Sequence, residues 1–222
     1  ILMRIEPTEA QAAEIVVSYD GAKRYTPRQP RSRAEAEQLA NEIRKMLEGG
    51  KGFEQLAIEY SDLPNHERGG VHRIFRKDTR HPDFEKIVWN LKVDEVSDII
   101  ETPTGFHIVK RLPVRRVEIR SIVIGYLRKK TEVASENLPS RTEAMELARR
   151  IHDGLVNDDA DFAAMASRHS TGAGSNKGGL MGEFGKGQQP YEADKTAFSL
   201  DVGEISDVFE YGSSFFILKR IR

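Results

Sequence analysis

Six histidines and no cysteine bound the chemistry available to this chain. Without thiols there are no disulfides, zinc–thiolate sites or cysteine nucleophiles. Imidazole is the side chain whose ordinary pKa lies nearest neutrality, so histidines are the first candidates for moving or orienting a proton. His66, His72 and His81 lie close together in the chain, but their spacing fits no helical or loop metal motif. Neither a metal nor another cofactor is expected. His107 stands in the apolar run GFHIVKRL, where it reads as a hydrogen-bonded core histidine or as a site residue. Glu14, in AEIVVS, is a candidate base, and equally a solvated or ion-paired carboxylate. Lys23, Arg24, Arg28 and Arg31 crowd the loop YDGAKRYTPRQPR. They could grip a phosphate, but a solvated, flexible loop is the simpler reading. The acidic stretch Asn157–Asp161 reads as a solvated turn.

The elements that must position these residues occur twice. Leu91–Leu112, LKVDEVSDIIETPTGFHIVKRL, returns as LDVGEISDVFEYGSSFFILKRI at Leu200–Ile221, identical at ten of twenty-two positions with a constant offset of 109. Each copy reads as two short strands joined by a turn. Ahead of the first copy, residues 1–11 read as a lead-in and Ala13–Ser18 as a β-branched strand. Ser32, with Glu35 three residues on, forms a capping box, and Ala36, Leu39, Ala40, Ile43 and Leu47 follow helical spacing. Phe53–Tyr60 is a shorter helix, Arg73–Arg76 a brief strand, and Pro82–Asn90 a helix with proline in its first turn. The second half repeats the order from Val117, with Arg128, Lys129 and Lys130 in the matching loop and Gly178-Gly179 matching Gly69-Gly70. This is tandem duplication of a domain, with units at 1–113 and 114–222 and a boundary near Pro113–Arg116. The expected fold class is α+β, two domains each with a small, mainly antiparallel four-stranded sheet surrounded by helices.

The net charge of −1 gives no reason to expect nucleic acid as a partner, and no apolar run approaches the roughly 20 residues of a membrane span. The opening Ile1-Leu2-Met3-Arg4 is no signal peptide and suggests a processed or excised chain. Oligomeric state is left open.

The order Lys51-Gly52 into FEQLAIEYSD, Gly69-Gly70, Phe75, Phe84-Glu85-Lys86, LKVDEVS and TPTGFHIVKR resembles the parvulin-type peptidyl-prolyl cis–trans isomerases. DFAAMA, GGLMGEF, AFSLDVGEIS and FFILKR repeat it. Two such domains in series look like the SurA-like chaperone-isomerases. The resemblance implies a folding factor that acts on unfolded or proline-containing polypeptides in the periplasm or another extracytoplasmic compartment. Rotation about an ordinary peptide bond faces about 18–20 kcal/mol of lost amide resonance. A catalyst therefore needs an apolar slot for the proline ring and groups that favour the twisted amide, with no nucleophile or metal.

The resemblance also implies site positions. In the first copy His107, Phe84, Thr102 and Thr104 match the family. Glu14 stands where a second histidine is usual, Leu63 for Cys or Asp, His72 for Leu, and Arg80 for Met. A charged or polar wall is expected to weaken a proline pocket. In the second copy Met181 fits the Leu position. Ala193 replaces the pocket Phe, Gln189 the Met, Ser121 and Phe216 the two histidines, and Gly172 the Cys or Asp. Isomerase activity, if any, is expected in the first domain. The alternatives are an isomerase of narrow preference, an inactive peptide-binding chaperone, and a structural module.

Overall fold

The computed structural model describes residues 8–127 and 138–222. The start of the chain and the cations Arg128, Lys129 and Lys130 lie outside the described residues. The chain divides into two compact units, Ile1–Arg115 with Gly185–Tyr191, and Arg116–Phe184 with Glu192–Arg222.

In the first unit the order is β1 (Glu9–Val17), α1 (Arg33–Glu48), α2 (Phe53–Tyr60), a 3-10 turn (His66–Arg68), β2 (Phe75–Arg76), α3 (Pro82–Asn90), β3 (Ile100–Thr102) and β4 (Gly105–Leu112). The sheet runs β2-β1-β4-β3, antiparallel throughout. β1 begins four residues earlier than its β-branched run, because Glu9 and Ala10 pair with β2 and Gln11 with the end of β4. Side chains alternate across a strand, so Ala13, Ile15 and Val17 face α1 and α2 together with Phe106 and Ile108. Ala10 and Ala12 face the other way with Val109, against Phe75 and the α3 residues Val88, Phe84 and Trp89. Fully burying each of Ile15, Ile43, Leu56 and Ile108 contributes about 1.5–3 kcal/mol. Both oxygens needed for the Ser32–Glu35 capping box are in place at the start of α1.

The second unit repeats the plan as β5 (Arg116–Gly125), α4 (Arg141–Asn157), α5 (Phe162–His169), a 3-10 turn (Ser175–Lys177), β6 (Leu180–Gly185), α6 (Tyr191–Ser199), β7 (Phe209–Tyr211) and β8 (Ser214–Arg220), with sheet order β6-β5-β8-β7. The α+β class with two four-stranded antiparallel sheets is as the sequence implies. On the face towards α6, the strand residues are large (Val117, Ile119) and the helix residue Ala197 is small. The first unit has the reverse, small strand alanines under a helix carrying Phe84, Val88 and Trp89.

The repeated stretch at Leu91 differs from two strands and a turn. Only its second half is a hairpin; residues 91–97 are irregular and tied to the sheet by single bonds. The identical residues explain why both copies hold this shape. Ser97 Oγ accepts from Val109 N, and Ser206 Oγ from Leu218 N, each at 2.9 Å. Glu95 accepts from Lys92 N and Glu204 from Asp201 N, both at 2.6 Å. Arg111 donates to Leu91 O and Arg220 to Leu200 O, both at 2.7 Å. Each replaces a backbone partner that an irregular segment cannot find in a ladder.

The second glycine of each Gly-Gly pair has a comparable reason. Gly70 (φ 68) and Gly179 (φ 78) are left-handed, and a Cβ there would stand 2.2 Å from Glu14 O and 2.4 Å from Ser121 O. Only glycine lets this loop close on the first strand, through Glu14 N to Gly70 O at 3.0 Å and Ser121 N to Gly179 O at 2.8 Å.

Candidate active site

Glu14 and His107 reach the same face of the first sheet by register. Val16 opposes His107 on β4, which makes Glu14 the diagonal neighbour of His107, a separation that long side chains span. Glu14 Oε1 lies 2.7 Å from His107 Nδ1. The Gly70 closure and the bond from His72 N to Ala12 O (2.9 Å) bring His72 to the same carboxylate, with Nε2 at 2.9 Å from Glu14 Oε2. On the far side of His107, Nε2 meets Thr102 Oγ1 at 2.8 Å and Thr104 Oγ1 at 2.9 Å. The two hydroxyls are 2.8 Å apart across the β3–β4 turn. The result is one hydrogen-bonded chain, Thr102/Thr104–His107–Glu14–His72.

Burial pushes the Glu14 carboxyl up, but hydrogen bonds from His107 and His72, with their charges, outweigh it and hold the pKa down at about 2. Glu14 is thus ionised at neutral pH and accepts only, so His107 Nδ1 and His72 Nε2 carry protons towards it. His107 Nε2 is left to exchange a hydrogen bond with the threonine hydroxyls. The carboxylate therefore sets the imidazole tautomer and its orientation, and through it the hydroxyls. What this chain of bonds offers is fixed dipoles at the mouth of a hairpin.

Phe84 adjoins this chain. Its ring is partly buried and lies 5.0 Å from the His72 ring and 5.9 Å from Phe75 between centroids. Leu63 is buried. Leu63, His72 and Arg80 line one open cleft with Arg24, Arg68 and Arg73. Arg80 is exposed, its guanidinium 5.7 Å over the Phe75 ring. The cost expected from a charged pocket wall does not arise there, since the charge stays in solvent. His72 avoids it differently, by pairing with Glu14. Met181 lies on β6 of the second unit, 39% exposed, and joins none of these residues.

Two residues that sequence reasoning passed over hold the surrounding loops. Asp62 is buried and accepts from Ser18 N (2.8 Å), Arg28 N (2.7 Å) and Arg31 Nη1 (2.7 Å). Arg28 Nη1 also donates to Ile58 O at 3.1 Å, at the α2 C-terminus. Arg28 and Arg31 are therefore tied to Asp62 and to backbone carbonyls, while Arg28 and most of the loop stay exposed to solvent, as the simpler reading has it. An aspartate directly after a helix, opposite a basic loop, was the available signal. Glu85 accepts from the backbone N–H groups of Asp78, Thr79 and Arg80 at 2.8, 2.9 and 2.7 Å. Burial pushes its carboxyl up, and those backbone bonds more than offset this, leaving it below the ordinary value.

The equivalent positions of the second unit hold neither carboxylate nor imidazole. Ser121 replaces Glu14, and Phe216 stacks on Phe209 at 5.5 Å and 17° where His107 would stand. A side chain at Gly172 would meet Val123 at 2.6 Å, so the position held by Leu63 in the first unit is closed.

A description of the PPIC-type peptidyl-prolyl isomerase (rotamase) domain matches residues 20–112 and again 127–222. The chain belongs to the PPIC-type peptidyl-prolyl isomerase family. Among curated relatives, it is similar to the chaperone SurA of Alcanivorax borkumensis, 33% identical over 183 residues, 82% of this chain and 42% of that protein. It is also similar to the SurA of Nitrosococcus oceani, 30% identical over 181 residues, 81% of this chain and 41% of that protein. The chain thus spans about two fifths of the length of these SurA relatives. Among solved structures, it is similar to the peptidyl-prolyl isomerase Ess1 of Candida albicans, 30% identical, TM-score 0.43, covering 48% of this chain and 63% of that one. The chain thus carries two PPIC-type domains in tandem, and over most of its length it is similar to SurA chaperones.

Proposed function

We propose that the first domain binds a proline-containing stretch of unfolded polypeptide and speeds rotation about its X–Pro bond, while the second binds chain without catalysing. The observation that carries this reading is the bonded set Thr102/Thr104–His107–Glu14–His72 beside Phe84. Phe84, with buried Leu63, offers the apolar contact for the ring. The Thr102 and Thr104 hydroxyls, oriented through His107, offer hydrogen bonds that favour the twisted amide over the planar one. Leu63 in place of a polar group leaves the work to shape and dipoles, which suits a reaction that makes and breaks no covalent bond. The SurA relatives are named chaperones, and this supports unfolded chains as the clients.

A protease-coupled proline-peptide assay on the full chain tests it. Wild type accelerates cis-to-trans conversion, and Phe84→Ala lowers kcat/KM by about tenfold to a hundredfold. A wild-type rate equal to background removes the catalytic claim. Suppression of aggregation of an unfolded client by that same inactive protein then leaves a peptide-binding chaperone.

A further inference from the structure

His72 is held at three points. Its N–H donates to Ala12 O at 2.9 Å, its carbonyl accepts from Gln11 Nε2 at 3.1 Å, and its ring Nε2 lies 2.9 Å from Glu14 Oε2. The side chain is 19% exposed on the cleft that it lines with Leu63. Glu14 has its other oxygen on His107 and accepts only, so the His72 proton on that side stays on Nε2. In a neutral imidazole this leaves the lone pair on Nδ1. Nδ1 bonds to no protein group among the described residues, and it is not buried. The ring that carries it lies 5.0 Å from the Phe84 ring between centroids. A leucine, which the resemblance places here, would fill the wall without the Glu14 bond and without Nδ1, so packing alone does not account for the histidine.

We propose that His72 Nδ1 is a substrate-binding acceptor of the first domain, taking a hydrogen bond from a backbone N–H of the polypeptide whose proline rests on Phe84. This contact deepens the isomerase reading and rests on it for the placement of the proline. Successive Cα atoms are about 3.8 Å apart, so a residue next to the proline comes level with a ring 5.0 Å from Phe84. Proline has no N–H of its own, and the residue before it is kept from helical backbone. The N–H groups flanking a proline in an unfolded chain therefore have no regular partner. Such a donor is present in every client whatever its side chains, so the contact sets the register of the bound chain and selects no side chain. An acceptor already fixed by backbone bonds and a carboxylate loses little freedom on binding. The second unit has neither part of this device: Met181, a thioether that accepts weakly, stands for His72, and Ser121 for Glu14. The contact belongs to the first unit.

The test is fluorescence anisotropy on the full chain with labelled one-proline peptides, run beside the isomerase assay. In two of them an ester oxygen replaces the N–H of the residue before or after the proline. One ester weakens binding about fivefold against the all-amide peptide, the size of one neutral hydrogen bond, and which ester does so names the N–H. His72→Leu binds amide and ester peptides alike, because it keeps an apolar wall and lacks the acceptor. His72→Gln keeps most of the difference, since its amide can donate to Glu14 and accept from the peptide. Thermal melts confirm that each variant folds. Nitrogen-15 imidazole spectra of the unaltered chain at about pH 8, above the ordinary imidazole range, need no variant: His72 Nδ1 reads as unprotonated and shifts when the all-amide peptide is added. A protonated Nδ1, ester peptides that bind wild type as the amide does, or an ester effect that survives in full in His72→Leu overturns the assignment. The ester effect without any isomerisation sinks the isomerase reading alone. Isomerisation without an ester effect sinks the acceptor alone.

Discussion

At one place on the sheet the first domain has a carboxylate between two imidazoles, and the second has a phenylalanine stacked on a phenylalanine. Around those places the two are bonded almost atom for atom. Ser97 and Ser206, Glu95 and Glu204, and Arg111 and Arg220 satisfy the same backbone groups at matching distances. Arg33 forks onto Glu101 as Arg141 does onto Glu210. The difference teaches which constraints are rigid. A backbone N–H buried without a partner costs free energy wherever it lies, so its side-chain partner is kept. A sheet face needs only to be filled. The first domain fills it with small strand residues, a large helix and a polar set; the second uses large strand residues, a smaller helix and an aromatic stack.

The largest effect should show that the fold is equally demanding in both. Gly70→Ala and Gly179→Ala each force a Cβ against strand backbone in a left-handed conformation. Each should lower unfolding free energy by about 3 kcal/mol or more, read by denaturant titration. A loss in one domain only would break the equivalence.

The next effect should appear in the first domain alone. The Glu14 carboxyl is held down from 4.5 to about 2 in the folded protein. Its ionised form therefore contributes stability that is complete above about 4.5 and is lost as pH falls towards 2. Across that window, wild type should lose about 3 kcal/mol relative to Glu14→Gln. Parallel stability curves for the two proteins would show that Glu14 is not held as described.

His72→Leu, the residue the family would place there, removes one of the two bonds on Glu14. It should cost about 1.5 kcal/mol and raise the Glu14 pKa, which a carbon-13 carboxyl titration reads. An unmoved titration would mean that His107 alone holds the charge. Met181→Ala should change stability by less than about 0.5 kcal/mol, since the side chain is 39% exposed. A larger loss would give the second domain a buried site corresponding to the first.

The outcome separates cleanly along the length scale of the interactions. Local rules read from the chain located α1 with its capping box, α2, α3, the second half of each closing stretch and the duplication itself, because those signals are short-range and written twice. Motif order singled out His107, Phe84, Thr102 and Thr104 as candidate site positions, and the fold brings the two hydroxyls to the imidazole. Glu14 and His72 appeared there as two separate departures. They are 58 residues apart and share one hydrogen bond, while Glu14 meets His107 across 93. No periodicity records such a meeting. It exists only because strand register puts Glu14 diagonal to His107 and because Gly70 lets the loop carry His72 onto the same face. For the same reason Arg80 could be read as a charge in the pocket wall, whereas tertiary packing lays it in solvent over Phe75. The chain alone determined the elements and the repeat; only the packed sheet decided which charges are paired and which remain available to a ligand, because pairing depends on distances that the fold creates.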